Sequence, residues 1–212
     1  MYEQEKQQVL DCALQMVKYG LVALSGGNVG LRVADDRVLI TPSAMDYDDM
    51  VADDVVVVDM DGNTVEGSRR PSSDMKALLH IFRRRPDLAA VIHTHQPYAT
   101  AVGLVEDRLP ACLVTILDAN RGAVNVAPFT ISSDEGMGVS ALEHCGDSLA
   151  VILRNHGVIA FGGSLKEALH SAVYLEESAK CYAAARAMGG SIHLLTDEEI
   201  AAESAPRGNY GQ

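Results

Sequence analysis

No apolar run in this sequence approaches the ~20 residues of a membrane-spanning helix, so no transmembrane segment is expected. Positive charge is scarce: 17 lysines and arginines face 29 acidic residues, for a net charge of −12. That balance disfavours nucleic acid or an anionic membrane as the main partner, while leaving room for a local cationic or metal site that holds an anion. Cysteines are few and scattered. Cys12, Cys112, Cys145 and Cys181 form no Cys-x-x-Cys pair, which points to reduced thiols in a cytoplasmic protein. The acidic start Met1-Tyr2-Glu3-Gln4-Glu5 lacks the basic and apolar regions of a signal peptide. Repeats, low-complexity tracts and linkers are missing too, so one domain over residues 1–212 is expected. What is present is apolar sequence, 48% of the chain, enough for a sizeable core.

The hydrophobic pattern alternates between helix and strand. Leu10, Leu14 and Val17 repeat at helical spacing within residues 3–18, with Gly20 as the left-handed cap. Strands are predicted around Leu31–Val33, over 37–41 and 55–58, with an Asp61-Gly62 turn into 63–66. A helix follows over 74–84, stopped by Pro86; Leu88–Ile92 is a buried strand and Pro97 opens a short helix. Leu113–Leu117 and Val124–Ala127 read as strands flanking Asp118-Ala119-Asn120-Arg121-Gly122. Ser132-x-x-Glu135, Ser164-x-x-Glu167 and Thr196-x-x-Glu199 are capping boxes for three later helices, the second running to about Met188. Between the first two lie Leu149–Leu153 and Val158–Phe161, two more apolar strands. Such interleaving predicts an α/β fold, a three-layer α/β/α sandwich on a largely antiparallel sheet.

The chemistry gathers at the end of the Leu88–Ile92 run, in His93-Thr94-His95. Alternation along a strand points both imidazoles to one face, a suitable pair of ligand positions for a transition metal. His156, at a bend in Arg154-Asn155-His156-Gly157 between two strands, can supply a third ligand, and Asp74 a carboxylate. That donor set fits Zn²⁺ best, with Mn²⁺, Co²⁺ and Fe²⁺ as alternatives. His80, His144, His170 and His193 read as packing or surface groups. Three loops, Ser25-Gly26-Gly27-Asn28, Thr41-Pro42-Ser43-Ala44 and Ser72-Ser73-Asp74, are rich in hydroxyls and small residues that let backbone N–H groups approach a phosphate monoester. None is a Walker loop or a dinucleotide fingerprint.

Taken in order, Gly27-Asn28, Thr41-Pro42-Ser43, Pro71-Ser72-Ser73-Asp74, His93-Thr94-His95, Ala127-Pro128-Phe129 and Asn155-His156-Gly157 resemble the class II aldolase/adducin family along essentially the whole chain. That family includes fuculose-1-phosphate aldolases and ribulose-5-phosphate 4-epimerases. The resemblance implies His93, His95 and His156 as metal ligands. It implies Asn28, Ser43, Ser72, Ser73 and the backbone of Ala44 as a phosphate pocket, within a homotetramer whose sites lie between subunits. Tyr210, thirteen residues after Asp197, matches the family's catalytic C-terminal tyrosine in spacing. Asp74 stands where the aldolases carry Glu and the epimerases Asp, and Asp118 falls where the epimerases place a proton-transfer residue. Thr41 replaces the epimerases' lysine, Val114 a tyrosine of the fuculose aldolases, and Ala44 and Gly30 the usual Gly and Ser.

The resulting expectation is a zinc-dependent aldolase that cleaves a small ketose phosphate into dihydroxyacetone phosphate and an aldehyde through an enediolate, with Asp74, Tyr210 and Asp118 as proton-transfer groups. The alternative is a 4-epimerase, which rotates and recombines the same fragments. A decarboxylase, a dehydratase or a non-catalytic adducin-like interaction module are remoter readings.

Overall fold

Burial along one strand decides the architecture. In Ala90–Thr94 (β5), Ala90 and Ile92 enter one apolar cluster and Val91 another, so both faces are covered and the strand is central. The computed structural model describes residues 1–204 and extends the sheet outward from β5. Asn28–Ala34 (β1) and Gly157–Gly162 (β9) flank it, both antiparallel. Beyond β1 come Arg37–Ile40 (β2), Val56–Asp59 (β3) and Thr64–Glu66 (β4). Beyond β9 come Ala150–Leu153 (β8), Val124–Ala127 (β7) and the short Arg108–Leu109 (β6). The order is β4-β3-β2-β1-β5-β9-β8-β7-β6, and among the described strands only β7 and β8 pair in parallel. The largely antiparallel α/β sandwich expected from the sequence is therefore the fold observed.

Helices cover both faces. Glu3–Lys18 (α1), Pro97–Val105 (α3), Val114–Asn120 (α4) and Leu165–Met188 (α6) pack on one. Met75–Arg84 (α2) and Glu135–His144 (α5) pack on the other, and Asp197–Glu203 (α7) follows α6. The apolar stripe Ala77, Leu78, Ile81 and Phe82 seats α2 on the sheet. Gly30 in β1 permits the approach: a Cβ there would come within 2.9 Å of Leu78 Cδ2 and 3.2 Å of Phe82. The missing serine at this position is thus a packing feature, which brings the start of α2 down beside the start of β1.

Two local expectations fail. Leu113–Leu117 is not a strand; after an extended Leu113 the chain enters α4. Ile116, Leu117 and Asn120 are buried at helical spacing, and Asn120 exchanges hydrogen bonds with Ser171 of α6, a contact no local pattern reveals. Ser132 does not cap α5 either. Asp134 holds the cap position without a side-chain bond, and Glu135 turns instead to His80 and Arg83 of α2. The box at Thr196 forms in both directions, whereas at Ser164 only the hydroxyl half forms, accepting the Glu167 N–H while Glu167 Oε2 accepts from the Gly163 N–H instead.

Candidate functional site

His93 follows Val91 by two residues and so faces the α2 and α5 side of the sheet. Its ring is fully buried, with Nδ1 donating to the Val158 carbonyl at 2.9 Å, which leaves the Nε2 lone pair free. His95 lies on the same side. His156 sits in the tight turn between β8 and β9, where Asn155 adopts a positive φ of 60°. The Nε2 atoms of His95 and His156 lie 3.1 and 3.3 Å from that of His93. All three ligand atoms fall within 4.8 Å of one another.

Glycines make this convergence possible. A Cβ at Gly157 would collide with the Thr94 carbonyl, and one at Gly27 with the carbonyl of His93. Gly26 lets the chain pass His95, since a Cβ there would stand 3.1 Å from Nδ1. Burial, then the neighbouring His156 and His95, push the His93 pKa down to about 3. Burial lowers His95 and His156 as well. The three rings are therefore neutral at neutral pH and present lone pairs to one point, the donor chemistry a divalent transition metal takes.

Asp74 closes the other side. It immediately precedes α2 and is buried; its Oδ2 accepts from Asn28 Nδ2 at 2.9 Å and its Oδ1 from the Ser133 N–H at 3.1 Å. Oδ2 stands 3.9 Å from His93 Nε2, so the carboxylate borders the imidazoles without bonding to them. Asn28, directly across the sheet from His93, keeps Oδ1 buried with no partner, the one such side-chain atom among the described residues. An unsatisfied buried acceptor costs about 1–3 kcal/mol, so this oxygen marks a place where a donor from a ligand fits.

The small-residue loops meet at the same end of the sheet. An antiparallel bridge joins Pro42 to Pro71, with Ser43 N–H donating to Arg70 and Ser72 N–H to Thr41. Ser72 is buried, its Oγ accepting from Asp74 N–H at 3.3 Å, while Ser43, Ala44 and Ser73 are exposed. Ala44 holds φ at 55°, a conformation that costs a residue with a Cβ about 1 kcal/mol and that the usual glycine takes freely.

Asp118 is elsewhere. It is exposed on α4 beside Leu149, Ser164, His170 and Tyr174, lining a cavity of about 410 Å³. Leu149 precedes β8 and Ser164 follows β9, whereas His95 and His156 sit at the opposite ends of those neighbouring strands. About four residues of strand, roughly 13 Å, separate the two ends, so a single chain does not bring Asp118 to the imidazoles. A second cavity of about 620 Å³, between α1 and α6, is also at the Asp118 end. Tyr210 lies outside the described residues. The sequence reading missed Ser133, whose positive φ of 65° turns its N–H onto Asp74, and the glycines packed against the histidines. Gly beside Asn28 and His156 was the visible signal for the latter; Ser133 offered none.

Comparison with known proteins identifies the family. The pattern of the class II aldolase and adducin N-terminal domain family matches residues 7–183. The chain is 35% identical to L-ribulose-5-phosphate 4-epimerase UlaF of Salmonella paratyphi C, covering 98% of each. It is 31% identical to 5-deoxy-D-ribulose 1-phosphate aldolase of Bacillus thuringiensis serovar kurstaki, covering 100% of this chain and 99% of the relative. Among solved structures, an L-fuculose 1-phosphate aldolase superposes with a TM-score of 0.88 at 32% identity, covering 94% and 93% of the two chains. The chain belongs to the class II aldolase and adducin family.

Proposed function

We propose that the protein is a metal-dependent aldolase, an aldehyde-lyase acting on a small ketose phosphate, with residues 1–212 as one domain. The observation that carries this reading is the convergence of three neutral Nε2 atoms beside Asp74 and the open Asn28 Oδ1. His93, His95 and His156 would hold a divalent ion, with zinc the best match to three imidazoles. Bound there, it would supply positive charge to the substrate's carbonyl and adjacent hydroxyl, stabilising the enediolate that cleavage leaves. Asp74, fixed by Asn28 and Ser133, would move a proton at the carbon and oxygens beside that centre. Ser72, Ser73, Ser43, Asn28 and the N–H of Ala44 form the pocket for the phosphate.

In the retro-aldol step a base takes the proton from the hydroxyl at the scissile bond. The carbon–carbon pair then moves toward the carbonyl, the aldehyde departs, and protonation of the enediolate carbon releases dihydroxyacetone phosphate. Tyr210 is the group proposed for the hydroxyl proton. Asp118, being at the opposite end of the sheet, would act only from a neighbouring copy, in keeping with a homotetramer whose sites lie between subunits. Four free cysteines fit a reducing cytoplasmic setting.

A 4-epimerase is the second reading, favoured by Asp74 and by the 35% identity to a relative of that name. One assay separates the two. Metal-loaded protein is incubated with ketose 1-phosphates and pentulose 5-phosphates, following dihydroxyacetone phosphate release and C4 inversion in parallel. Release without inversion is expected; inversion without release assigns the epimerase, and neither product removes both readings.

A further inference from the structure

The three imidazoles are not held alike. His93 is fixed through its ring, whose Nδ1 donates to the Val158 carbonyl at 2.9 Å. His95 is fixed through its backbone to a distant segment, its N–H donating to the Leu21 carbonyl at 3.1 Å. His156 has only its own turn. Its N–H donates to the Leu153 carbonyl at 3.1 Å, and among the described residues its Nδ1 makes no hydrogen bond. A metal-ligating histidine commonly donates its second ring N–H to a partner that sets the ring's direction. Without one, the aim of the His156 ring depends on where the turn stands.

Arg154, two residues before His156, ties that turn to a helix. Its backbone N–H donates to the Ala127 carbonyl of β7 at 3.1 Å, and its side chain leaves the sheet for the end of α3. There Nη1 donates to the Gly103 carbonyl at 2.9 Å and Nη2 to the Glu106 carbonyl at 3.4 Å. The last carbonyls of a helix have no intrahelical N–H to accept, and a cation suits that end of the dipole. Nη2 also pairs with Asp107, but that side chain is 97% exposed, so the carbonyl bonds are the anchor. Gly103 keeps helix and strand close, since a Cβ there would stand 2.7 Å from Ile152 Cγ2 of β8. The helix that starts two residues after His95 thus also fixes the turn that carries His156.

We propose that Arg154 is a positioning residue for the metal site: by binding the C-terminal carbonyls of α3 it holds the β8–β9 turn so that His156 Nε2 faces those of His93 and His95. The assignment rests on the metal-site reading above and adds to it the residue that sets the third ligand's aim.

Cobalt(II) titration tests it, because the visible absorption of the bound ion reports its ligand number and geometry. The proteins are wild type, Arg154→Met, Arg154→Lys, Tyr182→Phe and, as the two-histidine reference, His156→Ala, with thermal melts alongside. Arg154→Met keeps an apolar stem and loses both carbonyl bonds. It is expected to bind Co²⁺ about tenfold more weakly, its bands moving toward those of His156→Ala. Arg154→Lys reaches one carbonyl at a time and should recover most of the affinity, to within about threefold of wild type. Tyr182→Phe removes the 3.1 Å hydroxyl bond to Glu106 Oε1 at the same end of α3 and should leave affinity and spectrum unchanged. Wild-type affinity and spectrum in Arg154→Met, with a lower melting temperature, overturn the assignment and leave Arg154 a helix cap. Equal losses in Arg154→Met and Tyr182→Phe also overturn it, because any loosening of α3 would then suffice. Should Arg154→Met not fold, Arg154→Lys carries the test, and an unchanged affinity and spectrum there overturn the proposal. A wild-type protein that takes up no Co²⁺ removes the metal reading itself, and this proposal with it.

Discussion

The protein buries polar side chains in two regions, and the two are built differently. On the α3–α4–α6 side every one is answered. Thr94 donates to Gln96 Oε1 at 2.7 Å and Gln96 donates on to the Ala172 carbonyl. Glu176 accepts the N–H groups of Tyr98 and Ala99 at 3.0 Å each, and Asn120 and Ser171 bond to each other. At the α2 side, three imidazole lone pairs face one another and Asn28 Oδ1 has no partner. Buried polar groups that close on themselves join helices to the sheet; those left open make room for something the chain does not itself supply. On the proposed reading the histidines belong to chemistry and Glu176 to architecture.

The largest effect that would separate the regions is metal removal. Chelation should lower retro-aldol turnover by roughly three orders of magnitude or more, since several kcal/mol of charge stabilisation are lost. Circular dichroism should stay unchanged, and adding back a divalent ion should restore activity. Collapse of the fold on chelation would give the histidines a structural role like that of Glu176.

Glu176→Ala should do the reverse, lowering folding stability by about 2–4 kcal/mol as two N–H groups lose their acceptor. Metal content per folded chain should not change, and a fall in it would erase the contrast. A pH effect accompanies this residue. Burial raises the Glu176 pKa above 4.5, so in that range the native state binds its proton more tightly than the unfolded chain. Stability then falls as pH climbs from the unfolded value through the raised one, and denaturant titrations across acidic pH should show that decline flatten in Glu176→Gln.

Ser73→Ala should reduce kcat/KM about tenfold, on the scale of ~1–2 kcal/mol for a hydrogen bond to a charged group. Equal rates on phosphorylated and non-phosphorylated ketoses would remove serine from the phosphate pocket. Asp118→Asn is the smallest expected change, with cleavage remaining within about tenfold of wild type, ~1.4 kcal/mol. Near-complete loss of turnover, accompanied by C4 inversion in the wild-type protein, would assign the residue to an epimerase.

Much of this contrast was legible in the sequence, where local rules decide the outcome. Alternation alone placed His93 and His95 on one face, and the apolar runs beside Asn155-His156-Gly157 placed the third ring at a strand bend. Local rules failed where distant residues intervene. Glu135 leaves the Ser132 box because α2 brings His80 and Arg83 to it, and Leu113–Leu117 becomes helix because Asn120 finds Ser171 51 residues away. The Asn28–Asp74 bond spans 46 residues and the Ser133–Asp74 bond 59, so the open oxygen of Asn28 and the fixing of the carboxylate emerge only once α2 lies over β1. The role implied for Tyr210 stays with the sequence, since that residue is outside those described.

Metal analysis of purified wild-type protein and His95→Ala, side by side, tests the open site most directly. His95 is exposed at the rim, bonded through its N–H to the Leu21 carbonyl, so the variant should keep its fold. The account predicts one divalent ion per wild-type chain and almost none in the variant. A full equivalent retained by His95→Ala, or no metal taken up by the wild type at neutral pH, would contradict it.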